Sequence, residues 1–245
     1  MFLNLEQTRK HYRQVLQDKP SDYYERFDLD ILARRPLVRE LMTRAFERLF
    51  PTKAGHLLDL GCGTCFYYPL LARHAERITG VDLCVPMLEQ AKVLIERERL
   101  TNCQVMESSA LSLPIPDHSV DVVHSWDFLH HVQDVPRTVQ EIVRVLKPGG
   151  RYVAFEPNIF NPSISWYHAR RRAEWRIFAQ NQLTIPRQLR RFFDVRIRYD
   201  NTIISFLNER TRPLWQVINT VTKVWPLHLL SFRYIMDSRL RDAPR

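Results

Sequence analysis

The sequence predicts an α/β fold, a mostly parallel sheet with helices on both faces. Three observations carry that expectation. Short apolar runs alternate with amphipathic stretches, the pattern of strands joined by crossover helices. The run from His56 to Leu60 ends in a turn with two glycines one residue apart, Gly61 and Gly63, and leads straight into a helical stretch. At 245 residues, with 45% hydrophobic and 26% charged residues, the chain can bury one sizeable core, and two full domains would be cramped.

The elements follow in order. The first strand is expected at 56–60 and its helix at 66–75. A second strand at 77–82 ends on Asp82, and a helix at 86–98 opens with Pro86, whose fixed φ suits a first helical turn. Strands are expected at 103–107 and 120–125. The helix at 137–146 stops at Lys147-Pro148-Gly149-Gly150, because proline cannot continue it and glycine supplies the positive φ of the turn into a strand at 150–156. A helix at 184–193, a strand at 195–200 and a last strand at 231–236 complete a count of seven strands. Helices before residue 50 are expected to form an N-terminal cap (1–50). The main domain then spans 51–245, with a helical segment inserted near 208–226.

The glycine turn is the chemically informative feature. Two glycines let the backbone turn sharply and approach a ligand without a Cβ in the way. The following helix points its N-terminal amides and positive dipole end into the turn. Dinucleotides and S-adenosylmethionine both use such a turn. The dinucleotide fingerprint requires a third glycine three residues after the second, where this chain has Phe66. Asp59 decides further: a carboxylate before the glycines repels a pyrophosphate but suits the ammonium group of S-adenosylmethionine. Asp82, about 20 residues after the turn, is placed to accept hydrogen bonds from both ribose hydroxyls.

The wider pattern resembles the class I, Rossmann-like S-adenosylmethionine-dependent methyltransferases. Asp59-Leu60-Gly61-Cys62-Gly63-Thr64 is similar to their first motif, and Ile78-Thr79-Gly80-Val81-Asp82 to their second strand. Leu113-Pro114-Ile115-Pro116-Asp117, Val120 to Ser125 and Leu129-His130-His131-Val132 resemble the third and fourth motifs. Glu141 to Gly150 closes the set, with Glu156-Pro157-Asn158 after it. The similarity covers residues 56–158 and points to the branch acting on small molecules and lipids, quinone-biosynthesis enzymes included. It implies a seven-stranded sheet whose last strand runs antiparallel. It also implies a cofactor site of Asp59, Gly61, Cys62, Gly63, Asp82, Leu83, Ser109, Ala110 and Ser125. Leu83 would flank the adenine, and Ser125 would face the methionine part. Two positions depart from the family: Cys65 stands where a third glycine is common, and Ser109 where an acid usually precedes the alanine. Serine still accepts a hydrogen bond there, but a weaker neutral one.

Methyl transfer from a sulfonium is an in-line displacement in which the protein mainly positions the acceptor and excludes water. A base is needed only where the acceptor must lose a proton. His130 and His131 after the fourth strand are the candidates, with Glu156 and Asn158 after the fifth. Trp126, Phe128 and Trp166 could line the acceptor pocket, although core packing explains aromatic residues equally well. Two other readings compete: a nucleic-acid (RNA) methyltransferase, and an inactive cofactor-binding partner subunit. Only the basic charge favours the first. The amino-methylation signature Asn/Asp-Pro-Pro-Tyr/Phe is missing after the fourth strand, where Ser125-Trp126-Asp127-Phe128 stands. The intact first and second motifs weigh against the other.

The four cysteines, Cys62, Cys65, Cys84 and Cys103, include one C-x-x-C pair, but no second pair completes a zinc set, so neither metal nor disulfide is expected. The net charge of +9 is mostly arginine, clustered at Arg170-Arg171-Arg172, Arg176, Arg187, Arg190 and Arg191. Such a surface concentrates anionic partners. The first residues lack the basic start and apolar run of a signal peptide, and no window reaches the length of a spanning helix. A cytoplasmic protein is expected, at most attached to a membrane face. Leu214, Val217, Ile218, Val221 and Trp225 recur at helical spacing. That stripe would pack on the sheet, form a homodimer contact, or meet an anionic membrane.

Overall fold

The computed structural model describes residues 5–18, 27–202 and 208–242. Seven strands form one sheet: β1 (Ala54–Leu60), β2 (Ala75–Asp82), β3 (Cys103–Glu107), β4 (Val120–Trp126), β5 (Leu146–Pro157), β6 (Phe193–Asp200) and β7 (Arg233–Leu240). Their order is β3-β2-β1-β4-β5-β7-β6. Pairings among β3, β2, β1, β4 and β5 are parallel, and β7 runs antiparallel between β5 and β6. The chain order reverses beside β1, and the ends of β1, β2 and β4 meet there at one crevice, where open α/β sheets bind ligands.

Two apolar layers cover the sheet. One packs the helix Pro36–Leu49, through Leu37, Met42 and Phe46, against Leu57, Ile78, Val153 and Phe155. The other packs the helix Val135–Val145, through Val139 and Ile142, against Leu58, Val123 and Ala154. The central strands are therefore buried on both faces and read as continuous apolar runs rather than alternating ones.

Several expectations are corrected. The helix Pro36–Leu49 is no cap: its seven buried residues make it part of one core layer. The cap role falls to the helix Leu5–Asp18, whose Arg9 and Tyr12 reach the crevice. The helix expected at 66–75 shrinks to the turn Tyr68–Leu71 and a 3-10 turn Ala72–His74, because β2 already begins at Ala75. β5 starts at Leu146, which pairs with Val120 across a register shift, so Lys147–Gly150 is a bulged strand entry in which Gly149 has a φ of +69°. The helix Arg212–Val221 lies between β6 and β7 as expected. It buries none of its residues fully, holding on through the half-buried Trp215, whose indole N–H donates to Asn201 O at 3.1 Å. Leu214 and Val217 stay more than half exposed.

Candidate active site

β1 delivers the chain to the glycine turn at the open end of the sheet. Gly61 and Gly63 have φ of +66° and +53°, and a Cβ on Gly61 would lie 2.4 Å from the Phe128 ring. Only glycine fits there without moving the loop after β4. Cys65 also takes a positive φ, +57°. The site of the missing third glycine does demand the left-handed region, and a non-glycine residue carries that cost. The Cys65 thiol is fully buried in the core layer and does not face the cavity. All four cysteines are buried thiols, and burial pushes each upward, Cys103 to about 12. Such thiols stay protonated and inert near neutral pH.

Asp82 closes β2 and ties the turn together. One carboxylate oxygen accepts the Gly63 N–H at 2.9 Å and the other the Cys84 N–H at 2.8 Å. Burial pushes its carboxyl upward, while those amides pull the other way. Each oxygen retains a lone pair beside the cavity that Asp82 lines.

The cavity is walled by Gly61, Cys62, Gly63, Thr64, Asp82, Leu83, Ser109 and Ala110 on one side. Trp126, Asp127, Phe128, His131 and Val132 form the other side, and Arg9, Tyr12 and Phe27 close it. Of the expected site residues, Gly61, Cys62, Gly63, Asp82, Leu83, Ser109, Ala110 and His131 thus share one space. Asp59, Ser125, His130, Glu156, Asn158 and Trp166 do not line it. Asp59 is fully buried beneath the turn, where its carboxylate accepts from Tyr67 Oη at 2.8 Å and His124 Nδ1 at 2.6 Å. It fixes the turn from below instead of meeting a ligand's ammonium group. Ser125 is buried against the Tyr152 hydroxyl at 2.9 Å. Glu156 accepts the Leu129 N–H at 2.7 Å and His130 Nδ1 at 2.5 Å. Both Glu156 and His130 are buried and hold the loop after β4 in shape. Burial pulls the His130 imidazole down, but the Glu156 and Glu174 carboxylates outweigh it and raise it to about 9. Asn158 is buried as well, donating to Leu229 O and Ser231 O, and Trp166 lies exposed away from the cavity.

Sequence reasoning missed several neighbours of the site. Tyr12 Oη is hydrogen-bonded to His131 Nε2 at 2.9 Å across 119 residues of chain. Asp127, at a φ of +51°, pairs through both oxygens with Arg233 of β7, whose guanidinium also lies 4.9 Å above the Trp126 ring. Glu174 is buried beside His130 and His131, and these three place a ligand atom each within 4.8 Å of one another. The one available signal for Glu174 was its position as a lone acid inside an arginine run, Arg170 to Arg176.

The residues present fit S-adenosylmethionine. Thr64 Oγ1 is buried at the cavity wall and has no hydrogen-bond partner among the described residues, so it can serve a polar ligand atom. Asp82 offers the acceptors a ribose needs, and Leu83 and Ala110 offer apolar surface for a base.

Comparison with known proteins agrees with this geometry. Residues 58–154 match the family model described as a methyltransferase domain. A probable S-adenosylmethionine-dependent methyltransferase from Mycolicibacterium smegmatis is 34% identical over 114 residues, 46% of this chain and 42% of that protein. A demethylmenaquinone methyltransferase from Listeria welshimeri is 32% identical over 113 residues, 44% of this chain and 48% of that protein. The chain thus spans about half the length of the curated relatives it matches. A solved phosphoethanolamine N-methyltransferase from Haemonchus contortus superposes with a TM-score of 0.63 at 18% identity, covering 94% of this chain and 60% of that one. At that identity the likeness shows the fold alone.

Proposed function

We propose that this chain, whose residues 58–154 match a methyltransferase-domain family, is a class I, Rossmann-like S-adenosylmethionine-dependent methyltransferase acting on a small-molecule or lipid-like acceptor. One observation carries the reading: the glycine turn and Asp82 share a cavity with the Tyr12–His131 pair and an apolar wall of Phe27, Trp126, Phe128 and Val132.

Asp82 would hold the ribose, Leu83 and Ala110 the adenine, and Gly61 to Thr64 the methionine part. Ser109 already accepts the Leu111 N–H through Oγ at 3.2 Å and keeps a second lone pair for the base. When bound, the cofactor supplies an electrophilic methyl group on a sulfonium. The chain's residues therefore have to seat the acceptor, keep water out and accept a proton where the acceptor carries one. Arg9 and Tyr12 bring the N-terminal helix over the cavity and limit water. The Tyr12 hydroxyl can take the acceptor's proton while passing its own to His131 Nε2. The apolar walls of Phe27, Trp126, Phe128 and Val132 suit an acceptor with a hydrophobic body.

The exposed apolar stripe of Leu214, Val217, Val221 and Trp225, on a chain of net charge +9, supports peripheral contact with an anionic membrane as the source of such an acceptor. No helix among the described residues is long and apolar enough to cross a membrane. Calorimetric titration tests the cofactor assignment. S-adenosylmethionine should bind with a stoichiometry of one and NAD should give no heat of binding. Tight NAD binding with no S-adenosylmethionine binding would reverse the assignment.

A further inference from the structure

At the cavity wall, His131 belongs to a histidine–carboxylate cluster whose other members, His130, His168 and Glu174, are buried behind it and play no part in the cofactor reading. Glu174 Oε2 stands 3.6 Å from His130 Nε2, 3.6 Å from His131 Nε2 and 3.9 Å from His168 Nε2. These separations are too long for hydrogen bonds, and far too long for charge-assisted ones. They come close to the edge of a metal coordination tetrahedron: with bonds of about 2.0–2.1 Å, two ligand atoms sit about 3.3–3.4 Å apart.

The outer nitrogens already orient two of the rings. His168 Nδ1 lies 2.8 Å from Ile164 O, and a carbonyl only accepts, so the proton is on Nδ1 and Nε2 carries a lone pair in the neutral ring. His130 Nδ1 donates to the Glu156 carboxylate at 2.5 Å, which likewise turns Nε2 toward the cluster. His130 Nε2 is buried and has no hydrogen-bond partner among the described residues. Three imidazole Nε2 atoms thus converge on one buried carboxylate oxygen. The Glu156 carboxylate behind His130 and the Ile164 carbonyl behind His168 are the arrangement that supports metal-bound histidine.

We propose that His130 Nε2, His131 Nε2 and Glu174 Oε2 bind a divalent transition metal of the zinc class, with His168 beside them as a fourth donor. Two histidines, one carboxylate and a further position make a donor set that suits such an ion. The ion would cross-link the loop after β4 to the 3-10 segment Arg172–Phe178. His131 Nε2 also meets Tyr12 Oη, so joining the metal costs that hydrogen bond. On the reading of Tyr12 and His131 as the proton-accepting pair, the metal-loaded protein would transfer methyl groups more slowly.

The test is titration of the chelator-treated full chain with Zn2+, and with Co2+ read by its visible absorption. Neither needs cofactor or acceptor, so a failure here leaves the methyltransferase reading intact. One equivalent should bind with a Kd of about 1 μM or tighter, and Glu174→Gln should weaken it at least about 100-fold. Should the buried Glu174 variant fail to fold, His131→Ala on the cavity wall should weaken binding to the same degree. Absence of saturable binding at about 100 μM metal, or equal affinity in wild type and variants, overturns the proposal.

Discussion

At the scale of single residues, Asp82 does two things at once. It accepts backbone amides from both flanks of the crevice, and it keeps acceptor capacity for the ribose. Asp82→Ala should lose tenfold or more in S-adenosylmethionine affinity by calorimetry, since charge-assisted hydrogen bonds contribute about 1.5–3 kcal/mol each. Asp82→Asn, which keeps one acceptor, should lose less. Equal affinity in all three proteins would remove the ribose assignment. The Tyr12–His131 pair is tested by Tyr12→Phe, which keeps the ring and deletes the relay. With an acceptor that must lose a proton, kcat should fall by about 10²-fold or more, and cofactor affinity should change little. An unchanged kcat would leave Tyr12 a packing role only. Asp82 was legible in the sequence because a fixed spacing links it to the glycines. Tyr12 was not, since only the folded chain brings residue 12 to residue 131.

At the scale of elements, the helix Arg212–Val221 presents the clearest open question of partnership. It is held to the molecule through Trp215 and through Thr222 at its end, whose hydroxyl receives Asn201 Nδ2 at 2.7 Å, while Leu214 and Val217 stand exposed along it and Trp225, beyond its end, is 76% exposed. Liposome flotation separates the possible partners. The wild-type chain should float with anionic vesicles, and high salt should release it. Leu214→Asp combined with Val217→Asp should abolish flotation while leaving stability within about 0.5 kcal/mol, as both side chains are exposed. A chain that ignores anionic and neutral vesicles alike would leave a second copy or a soluble acceptor as the better account of the stripe. The existence of the strands was readable in the sequence because the central ones are short apolar runs with turn residues at their ends. Which helix packs where was less so. The periodicity of Pro36–Leu49 reveals an apolar face, but not that this face is buried against β-strands instead of roofing the crevice. The same limit explains Asp59, Ser125 and Glu156. Their positions at strand ends were correctly expected, yet the pleat turns each side chain into the core, where Tyr67, Tyr152 and His130 hold them.

At the scale of the whole molecule, the account rests on an assembly of parts that no single element supplies. β1 and β2 make the cofactor side, the loop after β4 makes the acceptor side, the N-terminal helix closes the cavity and meets that loop through Tyr12, and Arg233 of β7 holds the loop through Asp127. The net charge of +9 gives the molecule an attractive field for anionic partners. That field would serve an anionic lipid surface and a nucleic acid alike, so charge alone does not choose between them. The choice falls to one measurement. The chain is incubated with methyl-labelled S-adenosylmethionine and a cell extract, which is then split into lipid, polar-metabolite, RNA and protein fractions. Label should accumulate in the lipid or polar-metabolite fraction, and Asp82→Ala should abolish it. Label in RNA, or none in any fraction beyond that seen with Asp82→Ala, would contradict a small-molecule or lipid methyltransferase.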